Sequence, residues 1–310
     1  MIATGHYHAC HIPDIPGLAA WKTAYPDRVQ HSKLYRKAES FQDQNVLLVG
    51  AGVSSTDIAR ELGSVARSTY QVSRGGAYDL PAAMLPENAV RIGDIASFDP
   101  IGRQSESGDP IPGTVTLKSG QKLCDIHRVV LCTGYHVSFP FMREYHADGV
   151  RAEDADDKVL VTSGQVTHNL HKDIFYIPEP TLAFIGVPYH VATFSLFEFQ
   201  TMAIAAAFSG RISLPSEEQM REEYNQRLAL KGAGRVFHSL KGQGHEIAYV
   251  NDLVDMVNSG SVMSSGRMTG HSQRWHEAYA RRVARQKAIF STVRDPNAGE
   301  EVWQRIGACS

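Results

Sequence analysis

The stretch from Asn45 to Leu62, which reads NVLLVGAGVSSTDIAREL, constrains the fold of this chain more than any other. A run of apolar, strand-forming residues stops on Gly-Ala-Gly-Val-Ser-Ser and then continues with helical spacing. A helix N-terminus presents free backbone N–H groups and a partial positive charge, which attract phosphate. This order of strand, glycine turn and helix predicts a dinucleotide-binding βαβ unit. A glycine turn with a purely structural role is the alternative.

The turn matches the G-x-G-x-x-G fingerprint with one change. Gly50 is predicted to make the tight turn out of the strand, and Gly52 to let a pyrophosphate approach the backbone. Ser55 stands where the third glycine usually lies, and it is small enough for close packing of helix on strand. The predicted phosphate cradle consists of Gly50, Ala51, Gly52, Val53, Ser54 and Ser55.

The next strand, predicted over Thr69–Ser73, indicates which dinucleotide binds. About 20 residues after the glycines, such domains usually carry an Asp or Glu that holds the ribose 2′-hydroxyl of NAD or FAD. Residues 70–76 read YQVSRGG, which contains no carboxylate. Ser73 and Arg74 are therefore predicted to bind the 2′-phosphate of NADPH, because a guanidinium makes planar, charge-assisted contacts with phosphate. A solvated charge at the end of a strand is the alternative for Arg74.

Composition limits the partners. The 310 residues are 43% hydrophobic and 21% charged, as in a soluble globular protein of two compact units, and the formal net charge is -2. This charge argues against a nucleic-acid or anionic-membrane partner. The longest apolar run in the C-terminal half, residues 202–208, is too short to span a bilayer. The four cysteines form no C-x-x-C pair, which predicts reduced thiols and a cytoplasmic location.

Several further elements are predicted from local patterns. Residues 128–132 read as a short buried parallel strand that ends on Thr133-Gly134-Tyr135, and this end repeats the opening Ala3-Thr4-Gly5-His6-Tyr7. A glycine after a buried strand lets the chain pass close to a nucleotide, so both ends are predicted to lie at a cofactor. Three helices are predicted: Ser195–Ser209 ended by Gly210, one opened by a capping box at Ser216, and Ser272–Thr292.

With these motifs in order, the chain resembles the flavin-containing monooxygenases over essentially its whole length. The segments that carry the resemblance are ATGHY at 3–7, IPDIPG at 12–17, YPDRVQHSKLYR at 25–36, the cradle at 50–55, LCTGY at 131–135 and FEFQ at 197–200. They look like the family's A-T-G-H-Y, I-P-x-I-P-G, F-x-G-x-x-x-H-S-x-x-Y-R, NADPH fingerprint, A-T-G-Y and E-x-Q motifs.

The resemblance implies an enzyme that uses FAD, NADPH and O₂ to oxygenate a soft nitrogen or sulfur nucleophile through a C4a-hydroperoxyflavin. The fold it implies is α/β, with two nested Rossmann-like dinucleotide-binding domains. Thr4, Gly5, His31, Ser32, Thr133, Gly134 and Gln200 then become candidate cofactor contacts. Because the flavin performs the oxygen transfer, no catalytic side chain and no metal is predicted. The partners are a small-molecule nucleophile and O₂, and a homodimer is compatible with these predictions.

The chain departs from the family pattern at two places. In the identifying motif Tyr25 replaces Phe, and Asp27 replaces a glycine. The family also opens with a G-x-G-x-x-G for FAD, and no such segment precedes Ala3. The first Rossmann domain is therefore interpreted as N-terminally incomplete, with weak or absent FAD binding. The predicted divisions are 1–40 as a remnant of the FAD domain and connector, 41–140 as the NADPH domain, and 141–310 as the later FAD domain with a helical tail.

Alternatives remain open. The chain could be a non-catalytic NADPH-binding remnant, or another flavin enzyme of the same architecture, such as a Baeyer–Villiger or N-hydroxylating monooxygenase. A metal site at His6, His8, Cys10 and His11 is disfavoured because no second ligand cluster completes it. A disulfide reductase is disfavoured because no close cysteine pair is present. His31 could equally cap a loop, and the helix with Gln200 could begin with a plain N-cap at Ser195.

Overall fold

The computed structural model describes residues 1–102, 108–259 and 267–291, which divide into two compact units. The parallel-sheet unit contains Cys10–Gly134 and the chain from Ala280, and the helical unit contains Met1–Ala9 and Tyr135–Tyr279. The strands of the described residues are β1 Ala9–Cys10, β2 Val29–His31, β3 Asn45–Val49, β4 Ser68–Val72, β5 Ala89–Ile92, β6 Ile95–Phe98, β7 Val115–Leu117, β8 Lys122–Leu123, β9 Arg128–Leu131, β10 Tyr135–His136, β11 Leu170–His171 and β12 Phe175–Tyr176. The α-helices of the described residues are α1 Leu18–Ala24, α2 Val53–Glu61, α3 Thr193–Phe208, α4 Glu217–Lys231, α5 His245–Ser259 and α6 Gln273–Ser291.

A five-stranded parallel sheet with the order β2-β9-β3-β4-β5 organises the parallel-sheet unit. The chain runs outward from β3 to β4 and β5, and it returns to insert β9 on the other side of β3. This reversal is a topological switch point, where open α/β sheets bind ligands at the carboxyl ends of the strands. The register pairs Val49 with both Val72 and Leu131, so β3, β4 and β9 end at the same level. The α/β fold with a parallel sheet agrees with the sequence prediction.

Strand β3 is central because both of its faces are buried. Leu47 and Val49 pack into one hydrophobic cluster together with Val129 and Leu131 of β9. Val46 and Leu48 pack into a second cluster that contains Ile58, Ala59 and Leu62. A strand buried on both faces reads as a continuous apolar run, which explains why residues 46–49 are VLLV.

A small antiparallel sheet of order β6-β7-β8 completes the same unit. Trp21 of α1 is fully buried, and its indole N–H donates to the carbonyl oxygen of Asp99 at 2.8 Å. Its ring also meets Phe98 of β6, with ring centroids 5.1 Å apart. Burying this polar indole is therefore compensated by a hydrogen bond, as is usual for Trp in a core.

The helical unit follows local sequence rules closely. The helix predicted over Ser195–Ser209 is observed as α3, and Gly210 after it adopts a φ of 71°. The capping box predicted at Ser216 is present, since its hydroxyl accepts from the Gln219 N–H while the Gln219 side chain accepts from the Ser216 N–H. The predicted tail helix is observed as α6, which begins in this unit, and the indole N–H of its Trp275 donates to the Ser195 hydroxyl at 3.2 Å.

Ile2 forms a parallel bridge with Phe184, and Ala3 and Thr4, which follow it, are exposed. Two local predictions are corrected. The strand predicted over Thr69–Ser73 is observed as Ser68–Val72, so Ser73 begins a loop. The thiols are not all reduced: Cys10 and Cys132 are free, whereas Cys124 is disulfide-bonded.

Within the described parts of the chain, no helix combines the length and apolar character needed to cross a bilayer.

Candidate functional site

The carboxyl ends of β2, β3, β4 and β9 bring most of the predicted site residues to one edge of the parallel sheet. Each strand is followed directly by a predicted site segment, and the strands end level with one another. The residues at this edge are His31, Ser32, Gly50, Ala51, Gly52, Val53, Ser54, Ser55, Ser73, Arg74, Thr133 and Gly134. This position is the switch point between β3 and β9, where a ligand is expected.

Gly50 occupies a position that only glycine fills without strain. Its φ is 116°, and a Cβ built there would lie 2.6 Å from the carbonyl oxygen of Cys132. Its N–H donates to the carbonyl oxygen of Val72 at 3.2 Å. Gly50 therefore lets the chain leave β3 between its two neighbours, β9 and β4.

Gly52 serves a different purpose. Its φ of -83° is accessible to any residue. A Cβ built there would meet no atom closer than the backbone carbonyl oxygen of Tyr78, at 3.8 Å. Helix α2 begins at the next residue with no side-chain cap and no acidic residue in its first turn. An open backbone beside uncapped helix N–H groups fits a pyrophosphate group.

Ser55 does more than keep the helix close to the sheet. It is fully buried, and its hydroxyl accepts from the Gln71 amide at 2.9 Å. Gln71 in turn accepts from Arg91 Nε at 2.7 Å, and Arg91 Nη2 donates to the Leu80 carbonyl oxygen at 2.8 Å. A polar network thus links α2, β4, β5 and the loop before residue 81. The sequence predicted only that Ser55 is small enough for close packing, and not this network.

Ser73 lies beside a carboxylate that the sequence reading missed. Its hydroxyl donates to Asp79 Oδ2 at 2.5 Å, and the same oxygen accepts from the Gly76 N–H at 3.2 Å. Residues 70–76 contain no carboxylate, but the chain turns back through Gly75 and Gly76 and brings the Asp79 carboxylate to Ser73 from six residues downstream. The GG pair after Arg74 is the signal in the sequence that could have indicated this return. Arg74 itself is exposed.

His31 is buried at the end of β2 and holds the loop after β9. Its Nδ1 accepts from the Lys33 N–H at 3.1 Å, so Nε2 carries the proton and donates to the Gly134 carbonyl oxygen at 2.9 Å. That oxygen also accepts from the His11 N–H at 2.9 Å. Gly134 has a φ of 81°. Burial lowers the pKa of His31, so the neutral tautomer is retained in the folded protein.

A free thiol lies behind the cradle. Burial raises the pKa of Cys132 to about 12, although hydrogen bonds with Ser55 and Ser32 act in the opposite direction. A thiol with a raised pKa is a poor nucleophile, because the thiolate is the reactive form. Cys132 thus links Ser32, which follows β2, with Ser55 of α2. This contact gives Ser32 a role in packing at this edge.

The remaining predicted site residues belong to the helical unit. Thr4 and Gly5 are exposed. Gln200 is fully buried: its oxygen accepts from the Gly186 N–H at 2.9 Å, and its NH₂ group donates to the Tyr249 hydroxyl at 2.8 Å. In this structure the Gln200 amide positions the backbone at Gly186, so a cofactor contact by Gln200 stays a prediction.

The helical unit also contains a charged cluster that sequence reasoning did not find. Asp173 is fully buried and accepts two hydrogen bonds from Arg227, at 2.8 and 2.7 Å, and one from His238 Nδ1 at 2.8 Å. Burial alone would raise the pKa of Asp173, but Arg227 and His238 outweigh it and hold this pKa well below its usual value. Arg227 and His238 lie 54 and 65 positions from Asp173 in the chain.

We expect His31 to make stability fall as the pH is lowered. Because its pKa is lower in the folded than in the unfolded chain, the unfolded chain takes up a proton first below pH of about 6.5. In a His31→Gln variant the side-chain nitrogen still donates to Gly134 and does not titrate. The free energy of unfolding, measured with urea, should therefore fall less between pH 7 and pH 5 in His31→Gln than in the wild type, by about 1 kcal/mol. An equal loss in both proteins would contradict this role.

The parallel sheet and the glycine turn at its edge define a Rossmann-type α/β fold. A family model described as flavin-binding monooxygenase-like matches residues 1–84 and 112–269. The chain belongs to this family.

Relatives of known description agree. The chain is 45% identical over 291 residues to "Flavin-containing monooxygenase ustF2" of Aspergillus flavus, and the matched region covers 93% of this chain and 58% of that protein. It is 39% identical over 279 residues to "Flavin-containing monooxygenase ustF1" of the same species, and the matched region covers 90% of this chain and 54% of that protein. The chain thus spans somewhat more than half the length of these relatives.

Two solved structures share the fold. S-allyl-L-cysteine S-oxygenase from Allium sativum is 24% identical, with a TM-score of 0.62 over 98% of this chain and 63% of that one. Tmm from Pelagibacter sp. strain HTCC7211 is 20% identical, with a TM-score of 0.58 over 84% of this chain and 51% of that one.

Proposed function

We propose that this chain carries the NADPH site of a flavin-dependent monooxygenase, which uses FAD, NADPH and O₂ to oxygenate a soft nitrogen or sulfur nucleophile. The observation that carries the proposal is the open glycine turn at Gly50–Gly52, which precedes an uncapped helix at the switch point of a parallel sheet. Family membership supports the reaction class.

Different residues at the sheet edge would bind different groups of NADPH. The N–H groups at the start of α2 would bind the pyrophosphate, with Gly52 leaving room for its approach. Arg74, exposed after β4, would pair with the 2′-phosphate. His31 and the Gly134 backbone would fix the loop after β9 against the nicotinamide half. A bound flavin would supply the oxygen-transfer chemistry, and the protein would position it and exclude water.

The first experiment is a visible absorption spectrum of the purified chain, followed by NADPH titration. Flavin absorption together with NADPH-dependent O₂ uptake in the presence of a thioether or tertiary amine would support the monooxygenase. Tight NADPH binding without flavin absorption would instead favour the second candidate, a non-catalytic NADPH-binding protein.

Replacing Arg74 by Ala should weaken NADPH binding selectively. Charge-assisted hydrogen bonds contribute about 1.5–3 kcal/mol, so the Kd for NADPH should rise about tenfold or more, while that for NADH changes little. Isothermal titration with both nucleotides measures the effect. Arg60→Ala is the matched control, because it removes an exposed arginine from the same unit, on α2. If Arg74→Ala kept the wild-type ratio of the two Kd values, the phosphate role of Arg74 would be wrong.

A further inference from the structure

We propose that Asp79 determines how strongly the site distinguishes NADPH from NADH, because its carboxylate lies where the adenosine ribose 2′ position is expected and opposes a 2′-phosphate. The proposal rests on the NADPH site described above and deepens it. Its basis is the contact between Asp79 and Ser73 together with the way in which the loop of Asp79 is fixed.

In Rossmann folds the residue at the end of the second strand contacts the ribose 2′ position, and an acidic residue there binds a 2′-hydroxyl. Ser73 occupies this place after β4. Asp79 Oδ2 accepts from the Ser73 hydroxyl at 2.5 Å, so a carboxylate is present at the expected place although it comes from elsewhere in the sequence.

The loop from Ser73 to Leu80 is held at both ends by hydrogen bonds. The Gly75 N–H donates to the Ser73 hydroxyl at 3.0 Å, and the Asp79 N–H donates to the Gly76 carbonyl oxygen at 3.0 Å. At the far end, the Leu80 N–H donates to the carbonyl oxygen of Ala51 in the phosphate cradle at 2.9 Å. Asp79 is therefore held beside the cradle by backbone contacts rather than by its own side chain alone.

A 2′-phosphate would meet the Asp79 carboxylate and the Arg74 guanidinium, which act in opposite directions. Arg91 is a second cation near Asp79, but its guanidinium already donates to Gln71 and to the Leu80 carbonyl oxygen. A 2′-hydroxyl, in contrast, can donate to the carboxylate directly. Asp79 should therefore favour NADH and reduce the preference for NADPH that Arg74 creates.

The test is isothermal titration of the purified chain with NADP⁺ and NAD⁺. In Asp79→Asn the Kd for NADP⁺ should fall and that for NAD⁺ should rise, so that their ratio shifts about tenfold or more towards NADP⁺. Asp57→Asn is the matched control, because it removes an exposed carboxylate from α2 of the same unit and should leave the ratio unchanged. Titration with 2′,5′-ADP and 5′-AMP should show the same shift, which assigns it to the 2′-phosphate.

The outcomes separate the two proposals. A wild-type ratio in Asp79→Asn, with a lowered NADP⁺ affinity in Arg74→Ala, overturns the role of Asp79 and leaves the NADPH site standing. Binding of neither nucleotide to the wild-type chain overturns both. Should Asp79→Asn not fold, as judged by its circular dichroism and thermal melt, Asp79→Ser provides the same removal of charge with a smaller side chain, and an unchanged ratio there counts equally against the proposal.

Discussion

Asp173→Asn is expected to destabilise the helical unit by about 3–5 kcal/mol, the usual cost of removing one partner from a buried ion pair. The carboxylate is fully buried, and it neutralises Arg227 through two short hydrogen bonds. An Asn can accept only one of these bonds, and it leaves the Arg227 charge without a counter-ion. Asp173 has a φ of 57°, which Asn tolerates well, so the substitution tests the charge rather than the backbone.

Hydrogen exchange gives a readout specific to this cluster. The Thr167 N–H donates to Nε2 of His238, whose other nitrogen donates to Asp173. Exchange of the peptide that contains Thr167 should therefore accelerate in Asp173→Asn, together with a lower midpoint of urea unfolding. Asp252→Asn is the matched control: its carboxylate is about half exposed and pairs with Lys172 at 2.7 Å, so its loss should cost about 1 kcal/mol or less. Equal effects of the two variants would contradict the buried-pair argument.

The same cluster has a pH dependence of known sign. Burial opposes ionisation of Asp173, but Arg227 and His238 prevail and keep its pKa below the unfolded value. The pair therefore contributes its full stability above the unfolded pKa, about 3.9, and loses it as the pH falls further. Asp173→Asn should remove this part of the acid sensitivity, so the stability difference between the two proteins should shrink in strongly acidic solution.

Features governed by neighbouring residues could be predicted from the sequence. The start of α2 after Gly52, the capping box at Ser216 and the left-handed Gly210 after α3 all depend on residues within a few positions of one another. The buried β3 could also be predicted, since its apolar run has no polar interruption. In each of these cases local backbone chemistry and burial point to the same structure.

Features that depend on distant partners could not be predicted. The contact between Ser73 and Asp79 depends on the path of a loop, which strand spacing does not encode. The partners of Asp173 are separated from it by more than 50 residues, and their charges alone do not indicate which acid they neutralise.

Gly50→Ala is expected to unfold the parallel-sheet unit or to destabilise it by about 3 kcal/mol or more, since strain and overlap act together. A φ of 116° is rarely adopted by a residue with a Cβ, and that Cβ would lie 2.6 Å from a backbone oxygen of Cys132. The oxygen cannot move away easily, because the Cys132 N–H is hydrogen-bonded to the Val49 carbonyl oxygen at 2.9 Å. Thermal melting followed by circular dichroism measures the loss.

Gly52→Ala makes the decisive comparison, since it adds the same methyl group two residues later. Its backbone conformation accepts alanine, and the nearest atom to the new Cβ is 3.8 Å away. Stability should therefore fall by only about 1 kcal/mol, the cost of a poorer helix N-cap. NADPH affinity should nevertheless fall at least about tenfold, because the methyl group would occupy the space through which the pyrophosphate approaches the helix N-terminus. If Gly52→Ala bound NADPH as tightly as wild type, the phosphate cradle would not lie at this turn.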